Sequence, residues 1–311
     1  MVIRPYGGWQ RCAWIAEGKV EAVCSLEVGP RVIRYGFIGE NNVFGEMSED
    51  MGKREGSSFR LYGGHRFWLA PEVEGRTDFP DNALVEARRD GEWQIFTAPM
   101  EPVTFLQKEI RLRIVQGVVV VEHRVYNHGL YAVEVAPWAI TVLRPGGVAL
   151  LPQEPFQAHS ERLAPVRLMA LWGYTDMSDA RWKWGSRLIR LRQTEATSYQ
   201  KIGALVTAGW SAYWVGDMLF VKRFPYEPEA RYPDFGCNAE MFVRHDMLEL
   251  ESLGPLCLLK PKAYLSHWEQ WALVRPFTLP EDDHDAYELL RQVIDEISWR
   301  PSPLMEDSGE P

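Results

Sequence analysis

The stretch KEIRLRIVQGVVVVEHRVYN, residues 108–127, constrains the fold of this chain more than any other. Ile110, Leu112 and Ile114 alternate with Arg111 and Arg113, which places apolar side chains on one face of an extended strand and guanidinium groups on the other. Gln116-Gly117 then breaks the pattern before a second apolar run, as the turn of a β-hairpin does. Extended runs recur as VEAVCSLEVGPRVIRYGFIG, EWQIFTA, AVEVAPWAITVL, VRLMALW, SRLIRLRQ, KIGALVTAG, MLFVKRF, DMLELESL and HWEQWALVRPF, separated by Gly, Pro, Asn and Asp. Their number and spacing predict a mostly β protein made of two stacked antiparallel sheets.

One helix is expected, near 281–298. Pro280 opens it, acids fill its first turn, and Tyr287, Leu290, Val293, Ile294 and Ile297 form one stripe that would cap the sandwich. No linker or repeat divides the 311 residues, so residues 1–300 read as one domain and 301–311, PSPLMEDSGEP, as a flexible tail.

The balance of 43 acidic against 34 basic residues gives a net charge of -9, the wrong sign for a protein that binds nucleic acid through its backbone. No run approaches the ~20 apolar residues of a membrane helix. The N-terminal MVIRPYGGWQ lacks the pattern of a secretory signal, and the cysteines at 12, 24, 237 and 257 show no metal-ligand spacing, so buried thiols in a cytoplasmic setting are expected. Nothing in the sequence fixes an oligomeric state.

Glycine fingerprints for dinucleotides, phosphate loops, HExxH and GxSxG are all missing from the sequence, and no cofactor is expected. The histidines at 65, 123, 128, 159, 245, 267 and 284 include no His-x-His and no helical i,i+4 pair, so no metal is expected either. Tryptophan is the strongest compositional signal. Of 13, Trp68, Trp138, Trp182, Trp184, Trp268 and Trp271 stand beside polar residues. Indole faces pack on the C–H faces of sugar rings, so an acidic, Trp-rich sandwich points to a small neutral carbohydrate, although any single tryptophan also fits a core.

The order FRLYGGHRFWLAPE, YPDFGCNAEMFVRHDMLELES and HWEQWALV resembles the galactose mutarotase-like superfamily of β-supersandwich proteins, including its hexose-phosphate epimerases. GGHRFWLAPE, PDN and LESLGPL together look like a bacterial subgroup within it. The resemblance spans roughly residues 15 to 278 and rests on the order of short motifs. It implies aldose anomer interconversion, in which a carboxylate takes the O1 proton and an acid protonates the ring oxygen. Glu251 is the implied base, with Glu249 on the same strand face. Where the family carries its two histidines this chain has Asp81-Asn82 and Trp138, and the Asn127-His128 match lies in a turn. His65, after Gly63-Gly64, is the remaining candidate acid; it reads equally as a hydroxyl binder or as a structural histidine near Glu72. Arg60, Trp68, Glu72, Asp81, Asn82, Trp138, Asp234 and Glu249 complete the expected sugar-binding set, on the concave face of the sandwich. A sugar-binding or sensing protein without catalysis is the alternative. Lyase or hydrolase chemistry lacks a visible Tyr-His-Arg or paired-carboxylate set.

Overall fold

A computed structural model describes residues 1–300; the expected flexible tail, 301–311, lies outside the described residues. The chain begins with β1 (Val2–Tyr6), β2 (Trp9–Glu17), β3 (Val20–Ser25), β4 (Arg31–Phe37) and β5 (His65–Ala70), side by side in one sheet. It then lays β6 (Glu86–Asp90), β7 (Trp93–Thr97), β8 (Leu106–Val115) and β9 (Val118–Asn127) into a second sheet. After this the chain passes back and forth. β10 (Val133–Leu143) returns to pair with β5, β11 (Val148–Pro152) joins the second sheet, and β12 (Met169–Leu171) forms the far edge of the first. β13 (Trp182–Trp184) and β14 (Leu188–Arg192) extend the second sheet, β15 (Gln200–Ala204) the first, and β16 (Trp210–Val215) and β17 (Met218–Arg223) the second. The hairpin of β18 (Ala239–Arg244) and β19 (Met247–Leu253) sits in the first sheet between β15 and β10, β20 (Cys257–Leu259) pairs with β10, and β21 (Tyr264–Val274) closes the second between β17 and β9.

The result is an antiparallel sandwich of an 11-stranded and a 10-stranded sheet, as the alternating runs predict. Gln116 and Gly117 join β8 to β9 with φ of 53° and 78°, the left-handed pair that a two-residue hairpin turn requires. Between the sheets lies the main core, where Phe67, Leu69, Leu248 and Leu250 from the first sheet meet Val119, Val121, Phe220 and Trp271 from the second. Tyr35, Phe44, Phe220 and Trp271 interlock there with centroids 5.5–6.4 Å apart.

The one helix among the described residues, α1 (Asp283–Glu296), starts after Asp282, whose carboxylate accepts from the backbone N–H groups of His284 and Asp285. Ala286, Leu290 and Ile294 pack against Val148, Leu150, Leu219 and Val221, so the helix covers the outer face of the second sheet. Cys12, Cys24 and Cys237 are buried free thiols, and Cys257 is partly buried. No described helix is long and apolar enough to cross a membrane.

Candidate functional site

The period of two along each strand divides the first sheet into an inner face and an outer one. On β5, His65, Phe67 and Leu69 turn inward, which leaves Arg66, Trp68 and Ala70 outward. On β19, Leu248, Leu250 and Ser252 turn inward and Glu249 and Glu251 outward. Register lines these residues up across five neighbouring strands: Trp68 opposes Trp138, Ile140 opposes Glu251, Glu251 opposes Glu240, and Phe242 opposes both Glu249 and Lys201.

Charges on this outer face are buried and paired. Trp138 Nε1 donates to Glu251 Oε2 at 2.7 Å. Lys201 Nζ reaches the same oxygen at 3.1 Å and Glu240 Oε2 at 2.7 Å, with its ammonium 4.9 Å from the Trp138 ring centroid and 4.6 Å from that of Trp172. Beside them Arg66 Nη1 donates to Glu249 Oε1 at 3.0 Å, and its guanidinium lies 4.5 Å over Trp68, which packs edge-on against Trp138. Glu240 and Glu251 are 0% exposed, yet among the described residues Glu251 Oε1 and both Glu240 oxygens accept no well-directed hydrogen bond. Burial pushes the Glu240 carboxyl well above the usual carboxylate range, against the pull of Lys201 and with help from the Glu251 and Asp234 charges. Burial raises Glu249 as well, against the opposing pull of Arg66. At Lys201 burial works against the ammonium, but Glu240 and Glu251 outweigh it and hold the group above the ordinary lysine range.

His65, expected as a hydroxyl binder or acid, does not lie on this face. Its ring is 0% exposed between the sheets, with Nδ1 2.8 Å from Thr141 Oγ1 and Nε2 2.6 Å from His123 Nε2. His123 Nδ1 in turn donates to the His267 carbonyl, and His267 Nε2 shares a hydrogen bond with Ser252 Oγ, which donates to Glu269 Oε1. Trp271 Nε1 and Lys222 Nζ complete the shell of Glu269 at 2.7 and 2.9 Å. His65 and His267 are thus both held inside one buried network, and Glu72 is not part of it. His65, His123 and Glu269 place ligand-type atoms within 4.8 Å of one another, but each of those atoms already has a hydrogen-bond partner in the network. Burial depresses all three imidazoles, His123 and His267 to about 3.

The other expected residues divide in the same way. Trp68, Trp138, Glu249 and Glu251 come together. Arg60 stays in a loop, 3.7 Å from Asp50, and Arg66 is the guanidinium beside Trp68 in its place. The Asn82 side chain accepts from Tyr62 and donates to the Ser58 carbonyl. Asp81 pairs with Arg31 at 2.7 Å. Asp81, Asn82 and Trp68 also line a cavity of about 450 Å³, with Phe79, Met100 and Lys108, and Glu251 is not in its wall. Glu72 is exposed at the end of β5. Asp234 sits in the loop before β18, where Asp234, Phe235 and Gly236 take φ of 49°, 65° and 109° in succession. The paired carboxylates that the sequence did not show are Glu240 and Glu251, and Lys201 joins them. Their signal was the hairpin itself: folding AEMFVRHDMLELES about His245-Asp246 sets Glu240 opposite Glu251.

No family model matches the sequence, and no curated protein matches it significantly. Solved structures do match. A galactose mutarotase-like protein from Lactobacillus casei superposes with a TM-score of 0.53 at 9% identity, over 85% of this chain and 100% of that one. The fold is galactose mutarotase-like. A Synechocystis protein gives 0.58 at 9% identity over 88% and 99% of the two chains, and a candidate aldose 1-epimerase of Escherichia coli gives 0.53 at 10% over 85% and 98%. At such identities the likeness is one of fold, and the chemistry has to be argued from the side chains.

Proposed function

We propose that this chain binds a small neutral aldose on the outer face of its first sheet and interconverts the sugar's anomers, with Glu251 as the base. The observation that carries this reading is the asymmetry of the Glu251 carboxylate. One oxygen is fixed by Trp138 and Lys201, and the other is buried without a partner among the described residues, as a base that awaits an O–H donor would be. Trp68 and Trp138 supply aromatic surface for a sugar ring, and Arg66 with Glu249 supplies polar groups for its hydroxyls. Residues 1–300 act as one domain in this reading, in a cytoplasmic setting, with a small-molecule partner and no nucleic acid.

Binding without catalysis is the second reading, and burial favours it. Glu251 is 0% and Trp138 4% exposed, with Phe59, Leu256 and Trp172 packed around the cluster, so a sugar reaches Glu251 only if these side chains shift. Saturation-transfer NMR on freshly dissolved α-anomers, beside tryptophan fluorescence titration, separates the two. Acceleration that falls by about 10²–10⁴-fold in Glu251→Gln, with affinity retained, supports the enzyme. Fluorescence change without acceleration supports the binding protein. Neither signal with any sugar at millimolar concentration sinks both.

A further inference from the structure

The base on this face needs a partner acid, and His65 does not reach it. The buried charges identify another. Two cations, Lys201 and Arg66, face three carboxylates, Glu240, Glu249 and Glu251, and all five groups are at most 6% exposed. An uncompensated buried charge is costly, so one of the three carboxyls holds a proton when the cluster is balanced. Glu249 accepts a hydrogen bond from Arg66, and Glu251 accepts from Trp138 and Lys201. Glu240 has the least support: it pairs with Lys201 at 2.7 Å, but among the described residues neither of its oxygens accepts a well-directed hydrogen bond. It is therefore the carboxyl that carries the proton. Burial independently pushes its ionisation upward.

We infer that Glu240 is the proton donor to the ring oxygen of the aldose, working against Glu251 across the β18–β19 pair. This inference rests on the anomer-interconverting reading above. Direct opposition on adjacent antiparallel strands brings the two carboxyls close, and both stand within 3.1 Å of the same Lys201 nitrogen, so they suit two oxygens bonded to one carbon. Gly203, opposite Glu240 on β15, has no side chain to crowd it; a Cβ there would meet Cys237 Sγ at 2.7 Å and Glu240 Cγ at 3.5 Å.

The step balances without any further reactant. Glu251 takes the O1 proton, the O1–H electron pair becomes the second bond of the C1 carbonyl, the C1–O5 bond breaks, and O5 takes the proton of Glu240. The open-chain aldehyde turns about C1–C2. Glu240 then recovers its proton from the O5 hydroxyl as O5 attacks the other face of C1, and Glu251 returns its proton to O1. Lys201, held firmly as an ammonium, is a poor donor and serves to keep the two carboxyls in register.

Two measurements on the full chain test this. In infrared difference spectra at neutral pH, the wild type is expected to show a protonated carboxylic acid band that disappears in Glu240→Gln and survives in Glu251→Gln. In the anomer assay, Glu240→Gln is expected to lose about 10²–10⁴-fold in rate with sugar affinity nearly unchanged, while Glu240→Asp, which keeps an acid, retains part of it. The wild-type rate should fall as pH rises through the Glu240 ionisation, and that limb should vanish in Glu240→Gln. If Glu251→Gln loses activity while Glu240→Gln keeps the full rate or the carboxylic band, Glu240 is not the donor and the base assignment stands. If the wild type accelerates no aldose, the enzymatic reading and the donor role fall together.

Discussion

Trp138 donates its indole N–H to Glu251 across β10 and β19, at 2.7 Å between two side chains with almost no exposed surface. The contact sets the orientation of the carboxylate and decides which of its oxygens is free. A hydrogen bond to a charged buried group contributes about 1.5–3 kcal/mol, so a bond that positions the base in the transition state is worth about 10–100-fold in rate. Trp138→Phe keeps the aromatic bulk and removes the donor. It should lower the rate of anomer interconversion by that factor and change sugar affinity little, as read from separate kcat and KM values. An unchanged kcat would remove Trp138 from the mechanism.

Lys201 is the cation that makes the paired carboxylates tolerable. Replacing it with Met leaves Glu251 charged and buried with no cationic partner, a loss of the kind that costs about 3–5 kcal/mol. Because Glu240 carries a proton in this account, the compensating change is at Glu251: Lys201→Met with Glu251→Gln should recover most of the stability, and Lys201→Met with Glu240→Gln should recover less. Urea unfolding midpoints of the three variants decide it. A loss below about 1 kcal/mol for Lys201→Met alone would mean that the cluster is not held by this charge.

Much of this architecture was legible because it depends on period and turn chemistry. The alternation of Arg111 and Arg113 with Ile110 and Leu112 fixes which face of β8 is inside, and Gln116-Gly117 fixes where the hairpin turns. The same alternation in LELES put Glu249 and Glu251 on one face. It also carried the information that misplaced His65. Trp68 and His65 differ by three residues on one strand and so cannot share a face, and Arg66, two residues from Trp68, could have been selected instead of Arg60. Lys201 and Glu240 were harder to find. Their partnership depends on β15 lying beside β18, a strand order that local pattern does not encode. The histidine network was invisible for the same reason, since it joins β5, β9, β19 and β21.

That network gives the stability a defined pH dependence. His65, His123 and His267 are neutral in the fold, with His123 and His267 depressed to about 3, whereas in the unfolded chain they take protons near pH 6.5. The unfolded state therefore binds more protons between these values, so the stability they provide is full above about pH 6.5 and is lost as pH falls toward about 3. Glu240 acts in the opposite sense above about pH 4.5, since it holds a proton in the fold that the unfolded chain releases. Three imidazoles against one carboxyl leave a net that grows to about two protons, or up to about 2.7 kcal/mol lost per pH unit on acidification from pH 6.5 to 5. Denaturant titrations across that range should show this slope, steepened in Glu240→Gln. A flat profile in both proteins would contradict the assignment of buried neutral imidazoles.

Phe235 combines backbone strain with full exposure. It is 92% exposed, with φ of 65°, between Asp234 at 49° and Gly236 at 109°, and the Asp234 charge acts on Glu240. A bulky residue in the left-handed region costs about 1–2 kcal/mol, and a fold does not need an exposed phenyl ring for packing, so the ring is expected to serve as a platform for a sugar at the rim of the site. Two substitutions separate strain from platform. Phe235→Gly removes both ring and strain; after the extra chain entropy of glycine, about 0.5–1 kcal/mol, it should leave stability unchanged or up to about 1 kcal/mol higher while weakening sugar binding. Phe235→Ala removes the ring but keeps a Cβ in the left-handed region, so it should weaken binding equally with no gain in stability. Fluorescence titration with the best sugar of a hexose panel, beside urea unfolding, reads both effects. If either variant binds that sugar as tightly as the wild type, the exposed ring is no platform, and the left-handed triplet then serves only to lead the chain into β18.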